Sequence, residues 1–145
     1  MGKLIPLALV LAAATAFGLW FQAKSGRVKP AKATKPGKEN SQVVPAVSAA
    51  EIGGHYGSRA TLLQFSSAFC TPCRATRTLL GDITADMSDV LHLDLDAESH
   101  LELVRRLNII STPTTLILNH QGVEVGRAVG APKRTQVIAA LAAIS

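Results

Sequence analysis

Two cysteines, Cys70 and Cys73, are the residues of this chain best suited to chemistry. They are its only cysteines and are separated by Thr71-Pro72. An apolar strand pattern ends just before them and a helical pattern follows. At a helix start the unpaired N–H groups favour a thiolate, and Pro72 costs no hydrogen bond there. Cys73, about one turn later, can close a disulfide with Cys70. The pair therefore predicts thiol–disulfide exchange, in which Cys70 attacks and Cys73 resolves the mixed disulfide.

Other uses of two cysteines stay open at this point. A four-cysteine zinc site is excluded, because one chain supplies only two. A mixed zinc site would need two of four histidines, none close to the cysteines in sequence. A dithiol copper site, as in a metallochaperone, is a further alternative, since thiolates select Cu(I). A redox-silent interaction module is the third. The histidines concerned are His55, His92, His100 and His120.

The net charge of +5 is distributed unevenly along the chain. Residues 1–42 carry seven basic side chains and one acidic one, whereas residues 43–145 carry eight basic and nine acidic. The basic excess therefore belongs to the N-terminal segment. A basic folded surface, which nucleic-acid binding requires, is not expected.

The N-terminal segment predicts a membrane anchor followed by a linker. Twenty uncharged residues, 4–23, would form a helix about 30 Å long, which matches the hydrocarbon core of a bilayer. Ala14-Thr15-Ala16 allows a cleaved signal peptide instead, and a buried core helix is a weaker alternative. We predict a retained transmembrane anchor over residues 1–23, a flexible linker rich in lysine and proline over 24–45, and one folded domain over 46–145.

Charge also predicts the orientation of the anchor. Six basic residues follow the apolar segment within the linker, against Lys3 and the amino terminus before it. The positive-inside rule then places the domain on the cytoplasmic face of a cell membrane, with a single N-terminal span. A cleaved signal or the opposite anchor orientation would reverse this expectation.

Periodicity in the folded part predicts helices alternating with strands and a hairpin near the end. Ser48 and Glu51 have the spacing of a capping box at the first helix. The order is α-β-α-β-α-β-β-α, which indicates a mixed central sheet flanked by helices. The predicted strands cover 60–65, 90–95, 114–118 and 123–129. The predicted helices include 72–86, one with Leu101, Val104 and Leu107 on its apolar face, and a last one opened by Pro132 with Val137, Ile138, Leu141 and Ile144 on its apolar face.

These motifs together resemble the thioredoxin-like family over nearly all of residues 46–145. Phe69 precedes the cysteines where the family has an aromatic residue, and the run 107–114 resembles the family's segment ending in Pro-Thr. The resemblance implies a thioredoxin-like α/β fold and a protein-disulfide reductase that needs no bound cofactor. Its partners would be protein thiols and disulfides and a redox partner that exchanges electrons with it. Pro113 would follow a cis peptide bond, and Phe69, Thr71, Pro72, Thr112 and Pro113 would contact the substrate.

Three positions depart from the family pattern, one of them Thr71, which replaces the glycine usual between the cysteines. Gln64 stands where thioredoxins bury an aspartate beneath the active site, and His92 stands where they carry a lysine. An amide cannot act as a carboxylate base, so proton transfer at the second thiol must occur differently. Arg74 and Arg77 add positive charge beside the thiols, either as solvated helix residues or as stabilisers of the thiolate.

Overall fold

The computed structural model of this chain describes residues 14–18, 28–30 and 45–144. Residues 14–18 are helical, and the rest of the predicted anchor lies outside the described residues, as does most of the predicted linker. Within the described part of the chain, no helix has the length and apolar character needed to span a bilayer.

The described residues form one five-stranded sheet with helices on both faces. The strands are paired in the order β1-β5-β4-β2-β3. The β2–β3 pair is parallel and the other pairs are antiparallel, so the sheet is mixed as predicted. The strands are β1 (Val28–Pro30), β2 (Ala60–Ser66), β3 (Val90–Asp96), β4 (Thr114–Asn119) and β5 (Glu124–Val129), and the helices are a 3-10 helix (Ala49–Ile52), α1 (Thr71–Ala85), α2 (Leu101–Arg106) and α3 (Arg134–Ala142).

Side chains at alternate positions of the central strands pack into two separate cores. On β2, Leu62 faces one layer with α1 and α3, while Leu63 and Phe65 face the other with α2 and the 3-10 helix. Because successive strand residues point to opposite faces, both layers are built from the same buried strands. The first layer contains Ala60, Leu62, Leu80, Ile83, Val90, Ile117, Val137 and Leu141, and the second contains Val47, Ile52, Leu63, Phe65, Leu103, Leu107, Leu116 and Leu118.

Several details differ from the sequence-based prediction. The linker that was predicted to be flexible contains the short strand β1. Pro30 is tolerated because β1 is an edge strand and Pro30 is its last residue. The predicted first helix is a single 3-10 turn, in which Glu51 accepts from the backbone N–H of Ser48 at 2.8 Å. The last helix begins at Arg134 rather than at Pro132, and Ile138 is 38% exposed instead of lying in the core.

Candidate active site

The cysteine pair lies just after the end of β2, at the start of α1. Cys70 is the N-cap of α1 and is half-exposed, whereas Cys73 in the first turn is only 1% exposed. A disulfide joins them, with their Cα atoms 5.2 Å apart. The backbone N–H of Cys73 donates to the sulfur of Cys70 at 3.1 Å. This donor and the helix N-terminus favour negative charge on the Cys70 sulfur once the disulfide is reduced.

The predicted substrate-contact residues around Cys70 are open to solvent. Phe69 is fully exposed, and Thr71 and Pro72 are exposed in the first turn of α1. Pro72 occupies a position at which its missing N–H costs nothing. A fully exposed aromatic ring beside a reactive sulfur offers an apolar contact to a docking protein.

Thr112 and Pro113 lie at the same end of the sheet as the cysteines. The peptide bond between them is cis, as the family resemblance implies. The Thr112 hydroxyl is 3.2 Å from that of Ser67, in the loop that leads from β2 to Cys70. Pro113 is buried, and its carbonyl accepts from Gly130 N–H at 2.8 Å. The structure thus brings this segment beside the cysteine loop, and its role in substrate binding stays a prediction.

Gln64 is completely buried beneath the cysteines, with its side-chain amide fully hydrogen-bonded. Its Nε2 donates to the backbone carbonyl of Cys73 at 2.9 Å and to the hydroxyl of Ser66 at 2.8 Å. Its Oε1 lies 3.2 Å from Nε2 of His92. Since Oε1 can only accept, His92 must carry its proton on Nε2 and donate it. Gln64 therefore links β2, β3 and α1 at the floor of the site.

A second part of this floor extends from Ser66 to the protein surface. The Ser66 hydroxyl donates to one carboxylate oxygen of Asp94, and the guanidinium of Arg77 donates to the other and forms an ion pair with it. The Asp94 side chain is 18% exposed and that of Arg77 is 53% exposed. Arg77 is thus engaged by Asp94, whereas Arg74 makes only a long contact of 3.5 Å with the Thr71 hydroxyl.

The environment of His92 favours an uncharged ring. Burial lowers the pKa of His92 below its usual value; Asp94 opposes this effect and Arg77 adds to it. A neutral imidazole with its proton on Nε2 matches the hydrogen bond to Gln64.

The four histidines considered as zinc ligands do not gather around the cysteines. His92 contacts Gln64, whereas His100 follows β3 at the N-cap of α2, with its Nδ1 2.9 Å from the carbonyl of Asp96. Among the described residues, no group of three or more histidine, cysteine or acidic side chains is placed to hold a metal ion.

Sequence reasoning missed the connection from Arg77 to Cys73. It singled out Gln64 and His92 as departures from the family, but not their link with Ser66 and Asp94. A signal was present, because Gln64 and Ser66 alternate on one strand, and His92 and Asp94 alternate on the next. Polar residues at alternate positions of two adjacent strands point into one layer, where those that are shielded from water must satisfy each other.

Comparison with known proteins identifies the family. The family model described as "Thioredoxin" matches residues 54–143, which is more than half of the chain. The chain belongs to the thioredoxin family. Membership in this family supports the predicted thiol–disulfide oxidoreductase and the assignment of a mixed α/β fold.

Curated thioredoxins resemble this chain at moderate identity. Thioredoxin H5 of Oryza sativa is 28% identical over 80 residues, covering 55% of this chain and 57% of its own length. Thioredoxin H2-1 of the same organism is 30% identical over 76 residues, covering 52% and 54% respectively. The thioredoxin of Mycoplasma genitalium is 29% identical over 77 residues, covering 53% and 74%. The chain therefore spans little more than half the length of the two rice proteins.

Solved thioredoxin structures share the fold. Thioredoxin NaTrxh of Nicotiana alata superposes with a TM-score of 0.51 at 26% identity, covering 57% of this chain and 70% of its own. The thioredoxin of Fasciola hepatica gives a TM-score of 0.53 at 21% identity, covering 59% and 80%, and it bears on the fold alone.

Proposed function

We propose that this protein is a membrane-tethered thiol–disulfide oxidoreductase that reduces disulfides in other proteins. The observation that carries the proposal is the asymmetry of the Cys70–Cys73 pair. Cys70 is half-exposed at the start of α1 and receives an N–H donor, whereas Cys73 is buried directly behind it. One sulfur is therefore accessible to a foreign disulfide, and the other is accessible only to Cys70.

The reaction follows from this asymmetry. In the reduced protein, the Cys70 thiolate attacks one sulfur of the substrate disulfide, and the other substrate sulfur leaves as a thiolate. Cys73 then loses its proton and attacks the Cys70 sulfur, which releases the second substrate thiolate and forms the Cys70–Cys73 disulfide. Two electrons pass to the substrate, and a separate redox partner must restore the dithiol.

Substrate binding is proposed to use the apolar and backbone surface around Cys70. The residues in question are Phe69, Thr71 and Pro72 on one side and the Thr112–Pro113 segment on the other. An exposed aromatic ring gives contact area without demanding a particular sequence. This surface suits unfolded or extended protein segments better than small polar disulfides.

Trapping of mixed disulfides tests these roles. In Cys73→Ser the first step proceeds and the second cannot, so covalent complexes with disulfide-containing proteins should accumulate through Cys70. The matched variant Cys70→Ser keeps one thiol but loses the exposed one and should trap far less. Equal trapping by both variants would refute the assignment of roles, and no insulin reduction by the unaltered chain would refute the activity itself.

The reduction potential of the pair tests the direction of electron flow. A reductase is expected at about −270 mV and an oxidant at about −120 mV. We expect the value to lie at the reductase end. The copper alternative would instead show one Cu(I) bound per Cys70–Cys73 pair.

The membrane tether is proposed from the uncharged segment 4–23 and the basic residues that follow it. The charge distribution supports a domain on the cytoplasmic face, where reducing conditions would keep Cys70 and Cys73 as thiols. A membrane-impermeant maleimide applied to intact cells should then fail to label Cys70 until the cells are lysed. Labelling without lysis would place the domain on the outer face and leave the redox chemistry unchanged.

The position of β1 supports a short connection between such an anchor and the redox site. Val28 pairs with Ala128, and β1 is antiparallel to β5, so Val28, the first residue of β1, lies at the end of the sheet where Pro113 lies. Residues 24–27 can bridge at most about 17 Å between the anchor and Val28. The end of the sheet that carries Cys70 would then face the membrane and act on disulfides close to it.

Insertions on either side of β1 test this orientation with a matched control. A flexible insert between Arg27 and Val28 lengthens the connection, whereas the same insert after Lys32 lies beyond β1 and leaves it unchanged. In vesicles containing the full chain, the first insert should change the reduction rate of disulfides held close to the lipid surface, and the second should not. Equal effects of the two inserts would refute the docked orientation.

A further inference from the structure

The polar groups beneath Cys73 form a hydrogen-bonded chain with a fixed direction at every link. Arg77 and the Ser66 hydroxyl both donate to the Asp94 carboxylate. With its only proton given to Asp94, Ser66 can only accept from Gln64 at 2.8 Å. The second N–H of Gln64 goes to the Cys73 carbonyl, which also can only accept.

These directions explain why an amide stands at position 64. The side chain there faces two acceptors, the Ser66 oxygen and the Cys73 carbonyl, and it needs two protons to satisfy both. An ionised carboxylate has none. Because the Ser66 hydroxyl already donates to Asp94, a carboxylate at position 64 would face the lone pairs of two acceptors. It would also lie close to the negative charge of Asp94.

We propose that Asp94 and Arg77 supply the charges beneath the resolving cysteine. The neutral amide of Gln64 fits this arrangement because Asp94 already accepts the Ser66 proton. In this role Asp94 and Arg77 are positioning residues, which hold the Gln64 amide against Cys73 through Ser66. Their opposite charges also balance each other in the field at the Cys73 thiol. The inference rests on the proposed exchange reaction, in which Cys73 must lose a proton before it attacks Cys70.

The titratable and charged groups around Cys73 lie on α1 and β3. At the start of α1 they are Cys70, which is present in every variant compared below, together with Arg74 and Arg77, and on β3 they are His92 and Asp94. β2 contributes Gln64 and Ser66, and β4 contributes Thr115, the cross-strand neighbour of Gln64; none of these titrates. His92 donates to Gln64 as a neutral ring and so adds no charge.

The test is a carbon-13 titration of the two cysteine side chains in the reduced, full-length chain. With only two cysteines, the spectrum contains two cysteine signals, and Cys70→Ser assigns them. Arg77→Gln leaves the Asp94 charge uncompensated and should move the midpoint of the Cys73 titration upward by about half a pH unit or more. Asp94→Asn leaves Arg77 uncompensated and should move it downward, and the double variant should return close to the unaltered value.

Two substitutions of the same chemical kind serve as controls. Arg74→Gln removes a positive charge from α1 without breaking the network, because the Arg74 guanidinium contacts the Thr71 hydroxyl and not Asp94. Asp96→Asn removes a negative charge two residues along β3, where Asp96 accepts from Ser99 and the N–H of Glu98. Both controls should shift the Cys73 midpoint much less than Arg77→Gln and Asp94→Asn do.

A purely structural role for the ion pair predicts a different pattern. Arg77→Gln and Asp94→Asn would then both lower stability and would leave the Cys73 midpoint where it was, which overturns the proposal. If Arg77→Gln fails to fold, Arg77→Lys takes its place. This variant keeps the positive charge, so the Cys73 midpoint should stay at the unaltered value. A midpoint shift as large as the one caused by Asp94→Asn would also overturn the proposal. Failure of the unaltered chain to reduce insulin would instead count against the proposed function, since this titration does not depend on turnover.

A double-mutant cycle tests the match between positions 64 and 94. Gln64→Glu places a carboxyl of the same length against Ser66 and Cys73, so the folded protein should hold it protonated and lose stability as the pH rises. Asp94→Asn frees the Ser66 proton for the new carboxylate, so the double variant should be more stable than the sum of the single effects, by about tenfold in the unfolding equilibrium constant. Additive effects would refute the matched pair.

Discussion

Replacing Gln64 by leucine should destabilise the protein by about 2–3 kcal/mol. The substitution keeps the side-chain volume nearly constant and removes three hydrogen bonds, to the Cys73 carbonyl, the Ser66 hydroxyl and His92. Each neutral hydrogen bond contributes roughly 0.5–1.5 kcal/mol net, and the apolar leucine offsets part of the loss. For a domain of this size the melting temperature should fall by roughly 10–20 °C.

Urea unfolding of the full-length chain in mild detergent measures this loss. Circular dichroism is the suitable signal, because the only tryptophan, Trp20, lies in the predicted anchor. The control is Gln121→Leu, the same chemical change at an exposed position, which should alter the free energy of unfolding by less than about 0.5 kcal/mol. A loss below about 0.5 kcal/mol for Gln64→Leu would show that the amide bonds contribute little.

Removing both partners of one bond extends this measurement. Gln64→Leu leaves the N–H of His92 without its acceptor, whereas His92→Leu in the same chain removes that donor too. The double variant should therefore cost less than the two single variants added together, by about 0.5–1.5 kcal/mol. Additivity within about 0.3 kcal/mol would refute the hydrogen bond between Gln64 and His92.

Three further outcomes are expected. Gly57→Ala should destabilise strongly, by about 3 kcal/mol, because its Cβ would lie 2.1 Å from the Ala60 carbonyl oxygen and 2.7 Å from the Leu91 nitrogen, both backbone atoms. Gly81→Ala, in α1 with open space around it, should stabilise by about 0.5–1 kcal/mol in the same unfolding assay. Because burial lowers the pKa of His92 in the folded state, stability should fall as pH drops below about 6.5, by at most about 1.4 kcal/mol per pH unit, and His92→Gln should lack this component when unfolding is compared at pH 7.5 and 5.5.

Most of the sheet could be predicted from local pattern. The strand at 60–65 is mostly apolar and the strand at 90–95 alternates leucine with polar residues, and the predicted limits of both lie within one residue of β2 and β3. Hydrophobic periodicity carries this information, because each strand buries a face that its own sequence defines. The mixed pairing followed from the alternation of helices and strands together with the final hairpin.

β1 could not be predicted in the same way. Val28–Pro30 has no alternation of its own, lies among lysines and ends on a proline. Its pairing partner on β5 is about a hundred residues later in the chain, so the contact depends on tertiary structure. Short edge strands of this kind are determined by the available sheet edge rather than by propensity.

The pairing of Cys70 with Cys73 and the cis peptide bond beside it could be predicted, but the hydrogen bonds beneath them could not. The pair follows from the spacing of the only two cysteines and the cis Thr112–Pro113 bond from the family resemblance, while the catalytic and binding roles of these residues stay predictions. The links through Ser66 and Asp94 depend on register, because Gln64 lies opposite Asp94 only when β2 and β3 pair in parallel. Single-sequence reasoning does not supply register, and so it left Arg77 as one of two equivalent basic residues.

The arrangement of charge at this site bears on the expected direction of electron flow. A strongly oxidising pair depends on a reduced form in which the attacking thiolate is unusually well stabilised. Here the N–H of Cys73 and the helix N-terminus support the Cys70 sulfur, while the guanidinium of Arg77 is directed to Asp94 rather than to the sulfur. Since the Arg77–Asp94 pair is internally balanced and the amide of Gln64 is neutral, the positive side-chain charge left near the thiols is that of Arg74, whose guanidinium contacts the Thr71 hydroxyl at 3.5 Å. Stabilisation of the thiolate then rests on the backbone with a contribution from this one exposed charge, which favours the proposed reductase over a strong oxidant.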